Sequence, residues 1–195
     1  MEIALSNRIA LGRWWFRNRS LSPVPLLVLM VWLAPDFELD VPLLLMGVLS
    51  VTLSEGLRLW AVSYAGSATR TRGDQVHQLV IGGPYRWTRN PLYVANIGLY
   101  ASFTFLFGHF ILTVAAVLYF ILQYTLIISY EESLLEDRFG QSYRDYCAAV
   151  PRWFWGDRTV MGPSDLLPDL KSAFRSERST LFAIGAMWLI WMWRR

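Results

Sequence analysis

Residues 90–130 read NPLYVANIGLYASFTFLFGHFILTVAAVLYFILQYTLIISY, 41 consecutive positions without Asp, Glu, Lys or Arg. A helix rises about 1.5 Å per residue, so this run is about 60 Å long, enough for two crossings of a hydrocarbon core about 30 Å thick. Gly108 and His109 stand near its middle, where a tight turn joins two antiparallel spans. The reading is a helical hairpin buried in lipid. Charged residues resume abruptly on both sides, with Arg86 and Arg89 before the run and Glu131 and Glu132 after it. The hairpin therefore returns both of its ends to the same aqueous face.

Working outward, two more segments can be measured against the bilayer. Residues 20–35 carry no charge and make a short first span that Pro35 ends. After an acidic linker at 36–40, residues 41–64 form a second span, interrupted by Glu55 and Arg58 at i,i+3 on one helical face. Residues 179–193 are short and Trp-rich, and fit either a last span or a helix lying in the interface. Fifteen of the eighteen Lys and Arg residues fall before residue 20, between 65 and 89, or between 131 and 178, while the linker 36–40 and the Gly108–His109 turn have none. By the positive-inside rule the basic segments face the cytoplasm, with the chain in a bacterial inner membrane. Trp14, Trp15 and Phe16 between Arg13 and Arg17 read as an interfacial anchor, and the amino-terminal stretch lacks the pattern of a cleavable signal peptide.

Composition agrees. The chain is 54% hydrophobic and only 17% charged, against about 25% charged in a typical soluble domain, which excludes disorder, collagen and coiled coil. Its net charge of +3 is spread between apolar runs rather than gathered on one face, so no nucleic-acid partner is expected. One cysteine, Cys147, allows no internal disulfide and reads as inert; the two histidines, His77 and His109, lie 32 positions apart and lack ligand spacing, so no metal site is expected.

Chemistry concentrates at the two ends of the hairpin. At one, residues 82–93 read GGPYRWTRNPLY, where Pro91 suits the first position of a helix and Asn90 its cap. Backbone N–H groups, the positive helix end and Arg89 then suit a carboxylate or another anion, with Tyr93 on the first turn. At the other end, Glu131 and Glu132 offer negative charge to an ammonium, a sulfonium or ribose hydroxyls. Taken singly, Arg86 and Arg89 read as topology anchors and the two glutamates as a solvated helix end; their joint occurrence with Asn90-Pro91-x-Tyr93 favours a site for a zwitterion. For Glu55 and Arg58, mutual pairing and contact with a substrate stand as equal alternatives. Tyr143, Tyr146 and Arg152 fit either headgroup contact or packing of the cytoplasmic cap.

The runs GPYRWTRNPLYVANIG (83–98) and EESLLEDRFGQSYRDY (131–146), with Leu79-Val80 before them and Pro151-Arg152-Trp153 after, resemble the isoprenylcysteine carboxyl methyltransferase family and its phospholipid methyltransferase relatives. The resemblance covers about residues 73–153 and rests on the order and spacing of the pieces around the hairpin. It implies an integral membrane methyltransferase that binds S-adenosylmethionine in the cytoplasmic connector and acts on a lipid-like or isoprenylated acceptor reaching it from the bilayer. It further implies that Gln78, Leu79, Val80, Gly83 and Tyr85 line the cofactor, with Arg89, Asn90, Tyr93, Glu131 and Glu132 closing on it, and that Arg89, Tyr93 and Glu132 carry the catalytic roles. Where that family usually has His after the Arg, this chain has Asn90, which cannot serve as a general base near neutral pH.

Methyl transfer from a sulfonium is an in-line displacement, mainly a matter of alignment and electrostatics. A carboxylate acceptor needs no base, which points to carboxyl O-methylation, with a phospholipid amine or a hydrophobic thiol as alternatives. A membrane reductase relative and a non-enzymatic membrane scaffold are the readings from other classes. The expected architecture is all-α, a polytopic membrane helical bundle with four or five membrane segments, a cytoplasmic cofactor-binding connector and a C-terminal cap. It forms a single membrane domain over 1–195: 1–63 with the interfacial segment and first two spans, 64–153 as the methyltransferase core, and 154–195 as linker and last helix. Glu55 and Arg58 are the candidate substrate contacts.

Overall fold

A computed structural model describes residues 2–33, 40–66, 78–153 and 168–194. His77, the linker at 36–39 with Pro35 before it, Arg70, Arg72 and Arg158 lie outside the described residues. Among those described, all regular structure is helical: α1 (Glu2–Asn18), α2 (Val24–Trp32), α3 (Val41–Ala65), α4 (Pro91–Leu106), α5 (Phe110–Phe139), α6 (Gln141–Ala149) and α7 (Leu170–Arg194), with a 3₁₀ turn at Gly83–Arg86. Two of them, α3 and α5, are long and apolar enough to cross a membrane, and α4 is a shorter apolar helix. By contrast α2, with nine residues, is about 13 Å long, less than half of a bilayer core. The last helix begins at Leu170, nine positions before the apolar run measured on the sequence.

The chain divides into two compact units. One comprises Met1–Leu53, Ile97–Ser133 and Met187–Arg195; the other comprises Ser54–Asn96 and Leu134–Ala186. In the first unit the expected hairpin is present. Residues 107–109 turn between α4 and α5, closed by Gly108 N–H to the Phe105 carbonyl (2.9 Å) and His109 N–H to the Thr104 carbonyl (3.0 Å). Gly108 has φ +80°, a left-handed conformation that costs a side-chain-bearing residue about 1 kcal/mol. Across the hairpin Tyr100 stacks on the fully buried Phe120 at 4.3 Å. Polar groups in this apolar unit find specific partners: Gln123 Nε2 donates to Ser22 Oγ (2.7 Å), Trp191 Nε1 donates to the Leu106 carbonyl (2.7 Å), and His109 Nε2 meets the Met30 carbonyl (2.9 Å).

Outward-facing positions of the same unit are strongly apolar. Val41, Leu45, Met46 and Leu49 on α3, and Phe110, Ile111, Leu118 and Leu122 on α5, are all more than half exposed. In water such a surface would aggregate; against acyl chains it is the expected solvent-facing side of a membrane protein.

In the second unit, α6 supplies the core. Tyr143, Tyr146 and Val150 are buried, with Leu79, Ile81, Leu135, Phe139 and Cys147 packed against them. Trp60 and Trp87 meet edge to face at 5.1 Å.

Candidate functional site

The second unit holds most of the residues singled out in the sequence, and its construction starts with the 3₁₀ turn. Gly83 has φ +57°, and a Cβ added there would lie 2.5 Å from the Tyr64 ring, so the position requires glycine both for conformation and for space. Pro84 preorganises the turn, which Trp87 N–H closes onto the Pro84 carbonyl at 3.1 Å. Tyr85 sits half-buried within it, and its carbonyl accepts a hydrogen bond from the Tyr146 hydroxyl at 2.8 Å. Burial pushes the Tyr146 phenol well above the ordinary tyrosine range, with the neighbouring Tyr85 adding to the rise and the positive Arg89 opposing it. Tyr146 therefore stays a proton donor, and the Arg89 guanidinium acts on it electrostatically.

After the turn, the chain is fastened to the segment that follows α6. Arg89 N–H donates to the Pro151 carbonyl (3.0 Å), while the Thr88 hydroxyl (3.1 Å) and the Asn90 side-chain amide (3.0 Å) both donate to the Arg152 carbonyl. Helix α4 starts at Pro91 as expected, and the Asn90 carbonyl accepts from Tyr93 N–H (3.1 Å) and Val94 N–H (3.2 Å). The Asn90 side-chain amide donates across to the Arg152 carbonyl while its own carbonyl accepts the first helical N–H groups, so Asn90 fixes where α4 begins. Arg89 and the half-buried Tyr93 thus stand at the positive end of a helix whose position is set by hydrogen bonds from two directions. Within this unit the structure brings together Gly83, Tyr85, Arg89 and Asn90 with Tyr146 and Arg152. Leu79 contributes apolar packing, Val80 is half-buried, and Gln78 is exposed.

Glu131 and Glu132 belong to the first unit, both on α5 and both half-buried. Glu131 makes a long ion pair with Arg19 at 3.9 Å.

Glu55 and Arg58 occupy α3 within the second unit, and here the structure adds partners that local spacing does not show. Arg58 Nε donates to Glu177 Oε2 on α7 at 2.8 Å, and its Nη1 hydrogen-bonds Asn96 Oδ1 on α4. Glu177 is 1% exposed and Glu55 7% exposed. Among the described residues neither Glu55 carboxylate oxygen has a hydrogen-bond partner, and the charges of Arg58 and Glu177 both act on it. Asn96 and Glu177 were not singled out from the sequence. Asn96 lies inside the charge-free run, and Glu177 falls just before the last apolar stretch. Among the described residues no group of three or more His, Cys, Asp or Glu is placed to hold a metal ion.

The turn at Gly83–Arg86 and the fastened start of α4 thus stand on a chain with two helices of membrane-crossing length. The phospholipid methyltransferase family matches residues 43–142, and the chain belongs to it. That family is one of integral membrane methyltransferases related to the isoprenylcysteine carboxyl methyltransferases that this chain's motifs resemble. Two curated relatives are the nickel-cobalt-cadmium resistance protein NccN of Alcaligenes xylosoxydans xylosoxydans, 30% identical over 77% of this chain and 61% of its own length, and the cobalt-zinc-cadmium resistance protein CzcN of Cupriavidus metallidurans, 32% identical over 74% of this chain and 64% of its own. The chain spans less than two thirds of the length of either. No solved structure matches.

Proposed function

We propose that the protein transfers a methyl group from S-adenosylmethionine to the headgroup of a lipid-like acceptor at the cytoplasmic face of a bacterial inner membrane, using a bundle of four or five membrane segments. The observation that carries this reading is the fastened start of α4, where Thr88, Arg89 and Asn90 are tied to Pro151 and Arg152. Such a construction holds a cation and a helix dipole in register, the property needed to orient a zwitterionic cofactor by its carboxylate. The donor set fits: a guanidinium and a positive helix end for the carboxylate, with half-buried Tyr85 and Tyr93 beside them. When bound, the cofactor supplies an electrophilic methyl on a sulfonium. The chain's part is to position: Arg89 holds the carboxylate, Tyr93 shapes the first turn, and the turn at Gly83 and Tyr85 walls the site. The resemblance assigns Glu131 and Glu132 to the cofactor as well.

For the acceptor, the family's description favours a phospholipid amine, and carboxyl O-methylation of an isoprenylated acceptor, which needs no base, is the second reading. The relatives' names suggest a setting. A primary amine headgroup offers a lone pair to cobalt, nickel or zinc, whereas a fully methylated nitrogen has none to give. Methylation would thus lower the capacity of a membrane to bind such ions.

Calorimetry on detergent-purified protein tests the core of the reading. Wild type is expected to bind S-adenosylmethionine at micromolar concentration, and Arg89→Ala and Glu132→Ala are expected to lose that binding. Folded wild type that binds none would overturn the methyltransferase reading.

A further inference from the structure

Within the second unit the charges do not balance. Arg58 on α3 stands three residues from Glu55, and the hydrogen bonds it makes run to Glu177 through Nε at 2.8 Å and to Asn96 through Nη1, so one guanidinium serves two carboxylates. The carboxylate of Glu55, 93% buried by its 7% exposure, is left without a donor among the described residues. An ionised carboxylate in a lipid-facing helix is expensive, and such groups persist where they meet a partner or a substrate. The partner close at hand is already held elsewhere. Asn96 follows Tyr93 by three residues on α4, a separation of about 5 Å along the axis, so this cluster adjoins the turn assigned to the cofactor.

We infer that Glu55 is the group that receives the protonated amine of the acceptor headgroup. Its carboxylate takes the ammonium proton, and the freed nitrogen lone pair forms the new N–C bond to the methyl as the C–S bond of the sulfonium breaks and the thioether leaves. Arg58, Glu177 and Asn96 form the frame around it, in which a single positive charge is shared by two carboxylates. This rests on the methyltransferase reading and assigns a specificity-determining residue to it: an ammonium headgroup completes the charge balance, whereas a carboxylate headgroup would meet a like charge. A neutral or anionic headgroup gains nothing at this position.

The test uses the full chain in nanodiscs containing either phosphatidylethanolamine with phosphatidylglycerol or phosphatidylglycerol alone, with methyl transfer followed from tritiated S-adenosylmethionine and cofactor affinity measured in parallel. Wild type is expected to methylate only the amine-containing discs. Glu55→Gln is expected to raise the KM for the amine lipid at least tenfold, to leave the cofactor Kd within twofold, and to leave Tm unchanged or higher, because it removes an unpartnered buried charge. Glu55→Asp, which keeps the charge on a shorter stem, is expected to raise KM by a few fold and serves if the Gln variant does not fold. An unchanged KM in a folded variant would overturn the inference, and a fall in Tm with unchanged KM would mark Glu55 as a structural partner of Arg58. Cofactor binding without transfer to the amine lipid overturns the inference and leaves the methyltransferase reading standing; absence of cofactor binding overturns both.

Discussion

Arg–Glu pairs occur in both units, and Arg19–Glu131 in the first has little else in common with Arg58–Glu177 in the second. In the first unit Arg19 and Glu131 approach to 3.9 Å with side chains 29% and 30% exposed. In the second, Arg58 and Glu177 meet at 2.8 Å with exposures of 16% and 1%. An exposed pair is screened by water and contributes little, whereas a buried charge stripped of its partner has nowhere to turn. The Arg19 side chain also lies over the Phe16 ring at 4.2 Å, so its contact with Glu131 is one use among several. Arg58 has a single geometry that satisfies both Glu177 and Asn96. The same two residue types thus anchor a surface in one place and fix the interior in another, and burial makes the difference.

The sharpest way to break the comparison is Arg58→Ala. It leaves Glu177 and Glu55 buried with no guanidinium between them and should cost about 3 kcal/mol or more, read as a Tm lower by roughly 10 °C in detergent. The double replacement Arg58→Leu with Glu177→Leu should recover most of that loss, since apolar residues of similar volume often replace a buried pair without penalty. Next comes Gly83→Ala, which forces a left-handed residue and a displaced Tyr64 ring; about 2 kcal/mol is expected, along with weaker cofactor binding by calorimetry. Tyr146→Phe removes the hydrogen bond to the Tyr85 carbonyl and should cost about 1 kcal/mol at neutral pH.

That variant also carries a pH signature. The Tyr146 phenol is raised above its unfolded value, so its contribution is fully present below about pH 10, the ordinary tyrosine value, and is lost as pH climbs beyond it. In the Phe variant the alkaline unfolding midpoint, followed by circular dichroism, should move to higher pH. The smallest effect belongs to Arg19→Ala, about 0.5 kcal/mol. A loss comparable with that of Arg58→Ala would erase the contrast between the two pairs.

What the sequence made legible is local. The hairpin follows from 41 charge-free positions and one Gly-His pair, and α4 begins at Pro91 because Asn90-Pro91 leaves few other choices. The start of α7 was not legible by the same ruler. Lys171, Arg175, Glu177 and Arg178 precede the apolar run, yet a helix is closed by backbone hydrogen bonds that tolerate charged side chains, and it begins at Leu170. Spacing likewise placed Glu55 and Arg58 on one face, but the ion pair that forms spans 119 residues of sequence. Periodicity cannot reveal such a partner, because it is chosen by tertiary packing. The link between Asn90 and Arg152 was hidden for the same reason, although both residues had been noticed separately.

That link also bears on how the protein is made. A ribosome must add 62 residues after Asn90 before the Arg152 carbonyl exists to receive its amide, so the hairpin is synthesised complete before that partner is. Folding during synthesis generally proceeds from the amino terminus, so the two apolar helices are released into the bilayer first, with the amino end of α4 still unlatched. The latch closes only when α6 and the carbonyls beyond it emerge. A nascent chain stalled before that point would hold the hairpin with Thr88, Arg89 and Asn90 still without their partners at 151–152.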